Sequence, residues 1–314
     1  VSGVSLIEVA VKHNVFPELY WHDGSWEEGE YWLSADGNSS WNYAFSSEYF
    51  MDGDEYTIYA RATDIAGNEE LSPASDVFTF DSSAPTSQVL IEREFFNNNN
   101  WVDANSISGI SSDSVSGIDS LLLSIFRTSD DYWWNGESQW TTQETWFVPS
   151  GVENWTFAMN LNNLTNGVSY VVSSQAVDIS GNTQLEFGVD TLTYDVTSPN
   201  AGQVYDGSQS TDQDWSSSVS DISGNWSDFS DVTSGIVSYE YSVGSTPAGT
   251  DVVSWTDNGV DTLFTTEVVL ASGEDYYVSV RATDGAGNIS NIASSDGIMI
   301  DAIDPVVSEI IEGS

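Results

Sequence analysis

The chain has 314 residues, no cysteine, and 49 acidic residues against 5 basic ones, a formal charge of −44. A polyanion of this density is repelled by phosphate backbones and anionic lipid surfaces, which sets nucleic acid aside as a partner, and no run of 18 apolar residues is present to cross a membrane as a helix. Without cysteine, neither disulfides nor thiolate metal sites can contribute.

In chain order, Val1-Ser2-Gly3-Val4 opens a pattern that returns as Val115-Ser116-Gly117-Ile118 and Thr233-Ser234-Gly235-Ile236. Each copy is followed by a predicted strand whose inward set reads Ile7, Val9 and Val11, then Leu121, Leu123 and Ile125, then Tyr239, Tyr241 and Val243. The first two copies share an aromatic insertion, Tyr20 to Trp41 and Tyr132 to Trp155, in which Trp26, Trp32 and Trp41 return 114 residues later as Trp140, Trp146 and Trp155. Asp23-Gly24 and Asn135-Gly136 mark tight hairpin turns within it. The third copy carries only Trp255, in a shorter connection. Next comes an apolar residue, Gly and Tyr at three-residue steps: Phe50, Gly53, Tyr56; Leu164, Gly167, Tyr170; Leu270, Gly273, Tyr276. From that Tyr the residues alternate as a half-buried strand, which ends in Asp-x-(Ala/Ser)-Gly-Asn at Asp64 to Asn68, Asp178 to Asn182 and Asp284 to Asn288. Gly takes a positive φ without steric cost and Asp and Asn bond their own backbone, so the chain turns there. A last strand closes on Phe80-Asp81, Tyr194-Asp195 and Ile300-Asp301, and Pro85, Pro199 or Pro305 follows.

The turn glycine falls at 67, 181 and 287 and the proline at 85, 199 and 305, so both markers step by 114 and then by 106. That period is a domain of sandwich size. The predicted modules are 1–85, lacking its first two strands; 86–199, with the aromatic insertion; 200–304; and 305–314, the first strand of a following module. Two missing strands should leave a sheet edge unpaired and the Ile7, Val9 and Val11 face uncovered. The expectation is a segment cut from a longer array, the alternative a head-to-tail polymer in which Val306 to Ile311 is donated as a strand to a neighbouring copy. Asn-x-Ser/Thr occurs at Asn38, Asn154, Asn163, Asn225 and Asn288, frequencies that a chain rich in these residues reaches by chance.

The third module resembles a fibronectin type III domain, with Trp226 on its second strand, Tyr239-Glu240-Tyr241 on its third, and Leu270, Gly273 and Tyr276 in the frame of that family's tyrosine corner. The run Ala-Thr-Asp-x-Ala-Gly-Asn, followed by a strand and Asp-x-x-x-Pro, is similar to the tandem bacterial Ig-like repeats of large surface adhesins. The resemblance implies an all-β chain of Ig-like and fibronectin type III-like β-sandwiches in a linear array, extracellular and at the cell surface. The second module departs from it, having Ile107 and Ile110 where a second-strand Trp belongs, so its packing is expected to be looser.

No catalytic constellation emerges. His13 and His22 are the only histidines, both beside the first aromatic insertion and without copies in the second, and no Gly-rich phosphate loop follows a strand. The expected function is therefore a non-enzymatic structural or adhesive repeat array, part of an adhesin, surface layer or filament, with neighbouring copies or flanking modules as partners. The alternative is a glycan-binding accessory region of a secreted enzyme, with surface glycans as partners and Tyr20, Trp21, Trp133 and Trp134 exposed beside the hairpin turns. Trp26, Trp32, Trp140 and Trp146 are expected to be buried against their own modules. In a sandwich of this topology, the loops after the second and sixth strands share a pole with the end of the preceding module's last strand. Three acidic segments then converge at each junction: Asp81, Asp113 and Asp178 at the first, and Asp195, Asp228 or Asp231, and Asp284 at the second. Clustered hard oxygen ligands are what Ca²⁺ requires; the competing reading is that Asp64, Asp178 and Asp284 simply cap their own turns. The adhesin resemblance implies Ca²⁺ at such junctions.

Overall fold

The computed structural model describes residues 2–104, 106–209 and 211–306, so the strand expected at 306–311 lies outside them but for Val306. The first sheet contains β1 (Val4–His13), β2 (Leu19–His22), β3 (Ser25–Glu28), β4 (Glu55–Asp64) and β5 (Ala74–Thr79) in the order β3-β2-β1-β4-β5, with Leu33–Ser34 also paired to β1. The next assembly has two sheets. Its larger one runs β12 (Gly188–Tyr194), β11 (Val168–Asp178), β8 (Ile118–Arg127), β9 (Tyr132–Trp134), and its smaller one β10 (Asn154–Phe157), β7 (Ile107–Ser112), β6 (Thr86–Leu90). The short helix α1 (Asn98–Ala104) lies between β6 and β7. The last assembly repeats the plan: β13 (Gln203–Asp206), β14 (Asp221–Ser227) and β17 (Leu263–Glu267) face β15 (Ile236–Gly244), β16 (Val253–Asp257), β18 (Asp275–Asp284) and β19 (Ile298–Ile300). The chain is thus all-β, built of tandem Ig-like and fibronectin type III-like β-sandwiches.

The recurring sequence frame acts identically in all three. Tyr56 Oη accepts the Met51 amide at 2.8 Å, Tyr170 Oη the Thr165 amide at 2.6 Å and Tyr276 Oη the Ala271 amide at 3.0 Å, which is the tyrosine corner. Gly53, Gly167 and Gly273 hold φ of 81°, 75° and 93° one turn before it, a conformation open to glycine. Arg61 stands opposite Glu8 and Arg281 opposite Glu240, and their guanidiniums lie over Trp32 at 4.1 Å and Trp255 at 4.5 Å. Trp255 therefore does in the third sandwich what Trp32 does in the first. The second replaces that pair with Gln175 opposite Leu122.

Two packing expectations are corrected. Ile7, Val9 and Val11 are buried: Trp21, Trp26 and Leu33 of the aromatic insertion, with Phe45 and Tyr49 beyond it, pack on Val9 and Val11. What lacks cover is Trp41, 41 % exposed, whereas its counterpart Trp155, on β10 of the small sheet, points inward and is 1 % exposed. The second sandwich is not looser for want of a second-strand Trp. Trp155 fills the space from the neighbouring strand and lies so close to β7 that a Cβ on Gly109 would come within 2.1 Å of its ring. Among the described residues the buried apolar side chains of the first sandwich are Ile7, Val9, Ala10, Val11, Trp21 and Tyr56, far fewer than the 16 in the core of the second or the 14 in that of the third.

Candidate metal centres between consecutive sandwiches

Each turn motif ends a central strand and closes on itself. In the second sandwich the Asn182 amide donates to Asp178 Oδ1 at 2.8 Å and its Nδ2 to Asp178 Oδ2 at 2.9 Å, while the Gly181 amide reaches the Asp178 carbonyl at 3.2 Å. Asn68 with Asp64 and Asn288 with Asp284 repeat this. The turn-capping role of the three aspartates is therefore real, and in the later two it coexists with a second one. Asn182 Nδ2 also donates to the Asp81 carbonyl at 3.2 Å, and Asn288 Nδ2 to the Asp195 carbonyl at 3.0 Å, across 101 and 93 residues. These bonds tie each turn to the end of the preceding sandwich's last strand.

That contact brings the carboxylates together. One oxygen from each of Asp81, Asp113 and Asp178 lies within 4.8 Å of the other two, and Asp195, Asp231 and Asp284 form the same triad at the second boundary. Asp228, the other residue expected there, is not in it; it is exposed, has φ 63° and accepts the Ser227 hydroxyl. Asp113 Oδ1 accepts the amides of Val115, Ser116 and Gly117, and Asp231 Oδ1 those of Thr233, Ser234 and Gly235, so one oxygen of each caps a loop and the other is left for a ligand. Burial opposes ionisation of Asp113, but those amides outweigh it and hold its pKa below the usual value. Asp284 is pushed up, first by burial and then by the charges of Asp195 and Asp231. At such separations each ionised pair repels by roughly 3.5 kcal/mol or more at an effective dielectric near 20.

The first triad carries a further sign of a missing partner. Asp81 Oδ2 and Ser116 Oγ are both buried without a hydrogen-bond partner, which costs on the order of 1–3 kcal/mol per group. At the second boundary the counterpart hydroxyl, Ser234 Oγ, donates to Asp195 Oδ2 at 2.7 Å. The residues present fit a hard divalent cation: carboxylate and hydroxyl oxygens, with neither His nor Cys among them.

The second boundary has an additional clasp that the sequence reading missed. Asn97 Nδ2 donates to Asn288 Oδ1 at 3.1 Å and Asn100 Nδ2 to the Ala286 carbonyl at 2.8 Å, so the start of α1 grips the turn of the next sandwich. A run of four asparagines, Asn97 to Asn100, was its only trace in the sequence.

The aromatic candidates divide by strand geometry. Tyr20 and Trp133 are half-buried, but Trp21 is 6 % and Trp134 2 % exposed, a correction to their expected exposure. Successive strand residues face opposite ways, so one of each pair had to enter the core. Trp26 and Trp140 are half-buried, their ring N–H groups donating to the carbonyls of Tyr49 and Asn163, and Trp32 and Trp146 are also half-buried. His13 is buried, stacked on Tyr56 at 4.6 Å and bonded to Asp54 at 2.7 Å, while His22 stacks on Tyr31 at 4.1 Å.

Residues 153–296, less than half of the chain, match the family model described as bacterial Ig-like domain (group 3), a span that begins before β10 and ends before β19. No curated protein matches the chain. Among solved structures it is similar to part of a 1.5-MDa bacterial ice-binding adhesin, at 15% identity and a TM-score of 0.34 over 95% of this chain and 87% of that one. It is likewise similar to a Ca²⁺-stabilized adhesin of an Antarctic bacterium, at 15% identity and 0.33 over 96% and 66%. Domains A168–A170 of titin give 15% identity and 0.39 over 79% and 74%. Scores of this size carry no functional argument from any of the three. The partial family match falls on the second and third sandwiches and agrees with their Ig-like fold.

Proposed function

We propose that the chain is a non-enzymatic extracellular structural or adhesive repeat array, part of a surface adhesin, surface layer or filament, divided near residues 85, 199 and 304 and stiffened by Ca²⁺ at its module boundaries. The observation that carries this reading is the triad at the end of each last strand, with Asp81 Oδ2 and Ser116 Oγ left unpaired in the first. Asp81 comes from one sandwich and Asp113 and Asp178 from the next, so a shared ligand would add to the Asn182–Asp81 bond in tying two bodies joined by a short linker. Bound Ca²⁺ would supply the positive charge that offsets three converging carboxylates. Asp113 and Asp231 hold their loops in place whether or not the site is filled, because their Oδ1 atoms remain on the backbone amides. Among the described residues no helix is long and apolar enough to cross a membrane.

Calcium at a hundred times its Kd should stabilise by about 2.7 kcal/mol per site. Calorimetry tests this: calcium should raise the melting temperature, and Asp113→Asn with Asp231→Asn, which keeps both Oδ1 caps, should remove most of the rise. A wild-type melting temperature that is the same in calcium and in chelator contradicts the reading.

A further inference from the structure

We infer that the third sandwich holds a divalent cation of its own, bound by Asp206, Asp212 and Asp296, apart from either boundary triad. One carboxylate oxygen from each of these residues lies within 4.8 Å of the other two. Asp206, the last residue of β13, is 0 % exposed, and its Oδ1 is buried without a hydrogen-bond partner. Its Oδ2 accepts the Gly297 amide at 3.1 Å. Asp212 and Asp296 are exposed, one on the connection after β13 and the other on the turn before β19. Asp212 Oδ1 accepts the Asp206 amide at 2.7 Å, and the Gln213 amide donates to the Asp206 carbonyl at 3.2 Å, so the connection is drawn onto the buried carboxylate. No ion pair among the described residues involves any of the three.

A carboxylate sealed from water beside two others, with one oxygen unused, needs either a proton or a cation. The exposed pair leaves the site an opening to solvent. Three carboxylates and no nitrogen or sulfur ligand select a hard ion of the Ca²⁺ or Mg²⁺ kind. Such an ion would pin two connections of one sandwich together, a role distinct from joining neighbours.

Amide exchange of the whole chain, titrated with CaCl₂ or MgCl₂ alone, tests this. With the ion at ten times its Kd, exchange of the Asp206, Gln213 and Gly297 amides should slow about elevenfold. Asp212→Asn with Asp296→Asn, both exposed and outside the core, should abolish that slowing. Asp113→Asn with Asp231→Asn should leave it intact, which separates this site from the boundary triads. Protection by either metal supports the site and names its ion. No slowing with either metal, or equal slowing in the Asp212→Asn, Asp296→Asn variant, overturns it.

Discussion

Replacing the turn asparagines by alanine, one copy at a time, should produce a graded series. Asn68→Ala loses the bond from Nδ2 to Asp64 Oδ2 and nothing beyond its own turn. A bond to a charged acceptor contributes about 1.5–3 kcal/mol. Asn182→Ala loses the same bond to Asp178 and also the 3.2 Å bond to the Asp81 carbonyl, a further 1 kcal/mol or so. Asn288→Ala loses its bond to Asp284, the bonds to the carbonyls of Asp195 and Thr197, and the one accepted from Asn97, which adds roughly 2–3 kcal/mol to the common loss. Because the three turns belong to different sandwiches, the comparison between them needs a probe that reads each turn separately. Native-state amide exchange at Gly67, Gly181 and Gly287, whose amides close the three turns, reads each locally. The protection lost should increase from Asn68 to Asn182 to Asn288. Equal losses at all three would refute the idea that this residue links one sandwich to the one before it.

Tyr276→Phe should cost about 1–2 kcal/mol in the third sandwich, since the Ala271 amide loses its acceptor; thermal denaturation monitored by Trp226 fluorescence measures it. Gly109→Ala should destabilise the second sandwich by about 1–3 kcal/mol or more, because the added Cβ would meet both the Gln88 carbonyl and the Trp155 ring at 2.1 Å; urea unfolding checks this. The pH dependence of Asp206 has a definite sign. Its folded pKa is raised from 3.8 to about 7, so the folded chain binds the extra proton and stability falls as pH rises through that window, by about 4 kcal/mol at roughly 1.4 kcal/mol per unit. In chelator, Asp206→Asn should flatten the loss between pH 5 and pH 8 measured by denaturant unfolding of the third sandwich.

The parts of the fold visible in the sequence are those that depend on local chemistry. Tyr276 with Gly273, and Asp284 with Gly287 and Asn288, act within a few residues of themselves, and each recurs at a fixed spacing. The aspartates of the boundary triads could be named because topology alone brings a strand end to two loops. Choosing between Asp228 and Asp231 required the loop conformation: Asp231 faces the amides of Thr233, Ser234 and Gly235, and Asp228 turns away at positive φ. Burial of Ile7, Val9 and Val11 was misjudged because an insertion can cover a face in place of missing strands, and strand alternation does not reveal what lies above it. Asp206, Asp212 and Asp296 went unseen because residues 90 apart meet only through the pairing of β13 and the position of the turn before β19.

The central claim is that calcium joins consecutive sandwiches through Asp81, Asp113 and Asp178 and through Asp195, Asp231 and Asp284. Small-angle scattering of the whole chain, in calcium and then in chelator, tests it most directly. The account predicts a stiff, extended particle in calcium that becomes a broad distribution of shapes in chelator, with Asp113→Asn and Asp231→Asn giving the broad distribution under both conditions. Superimposable wild-type profiles in calcium and in chelator would contradict it.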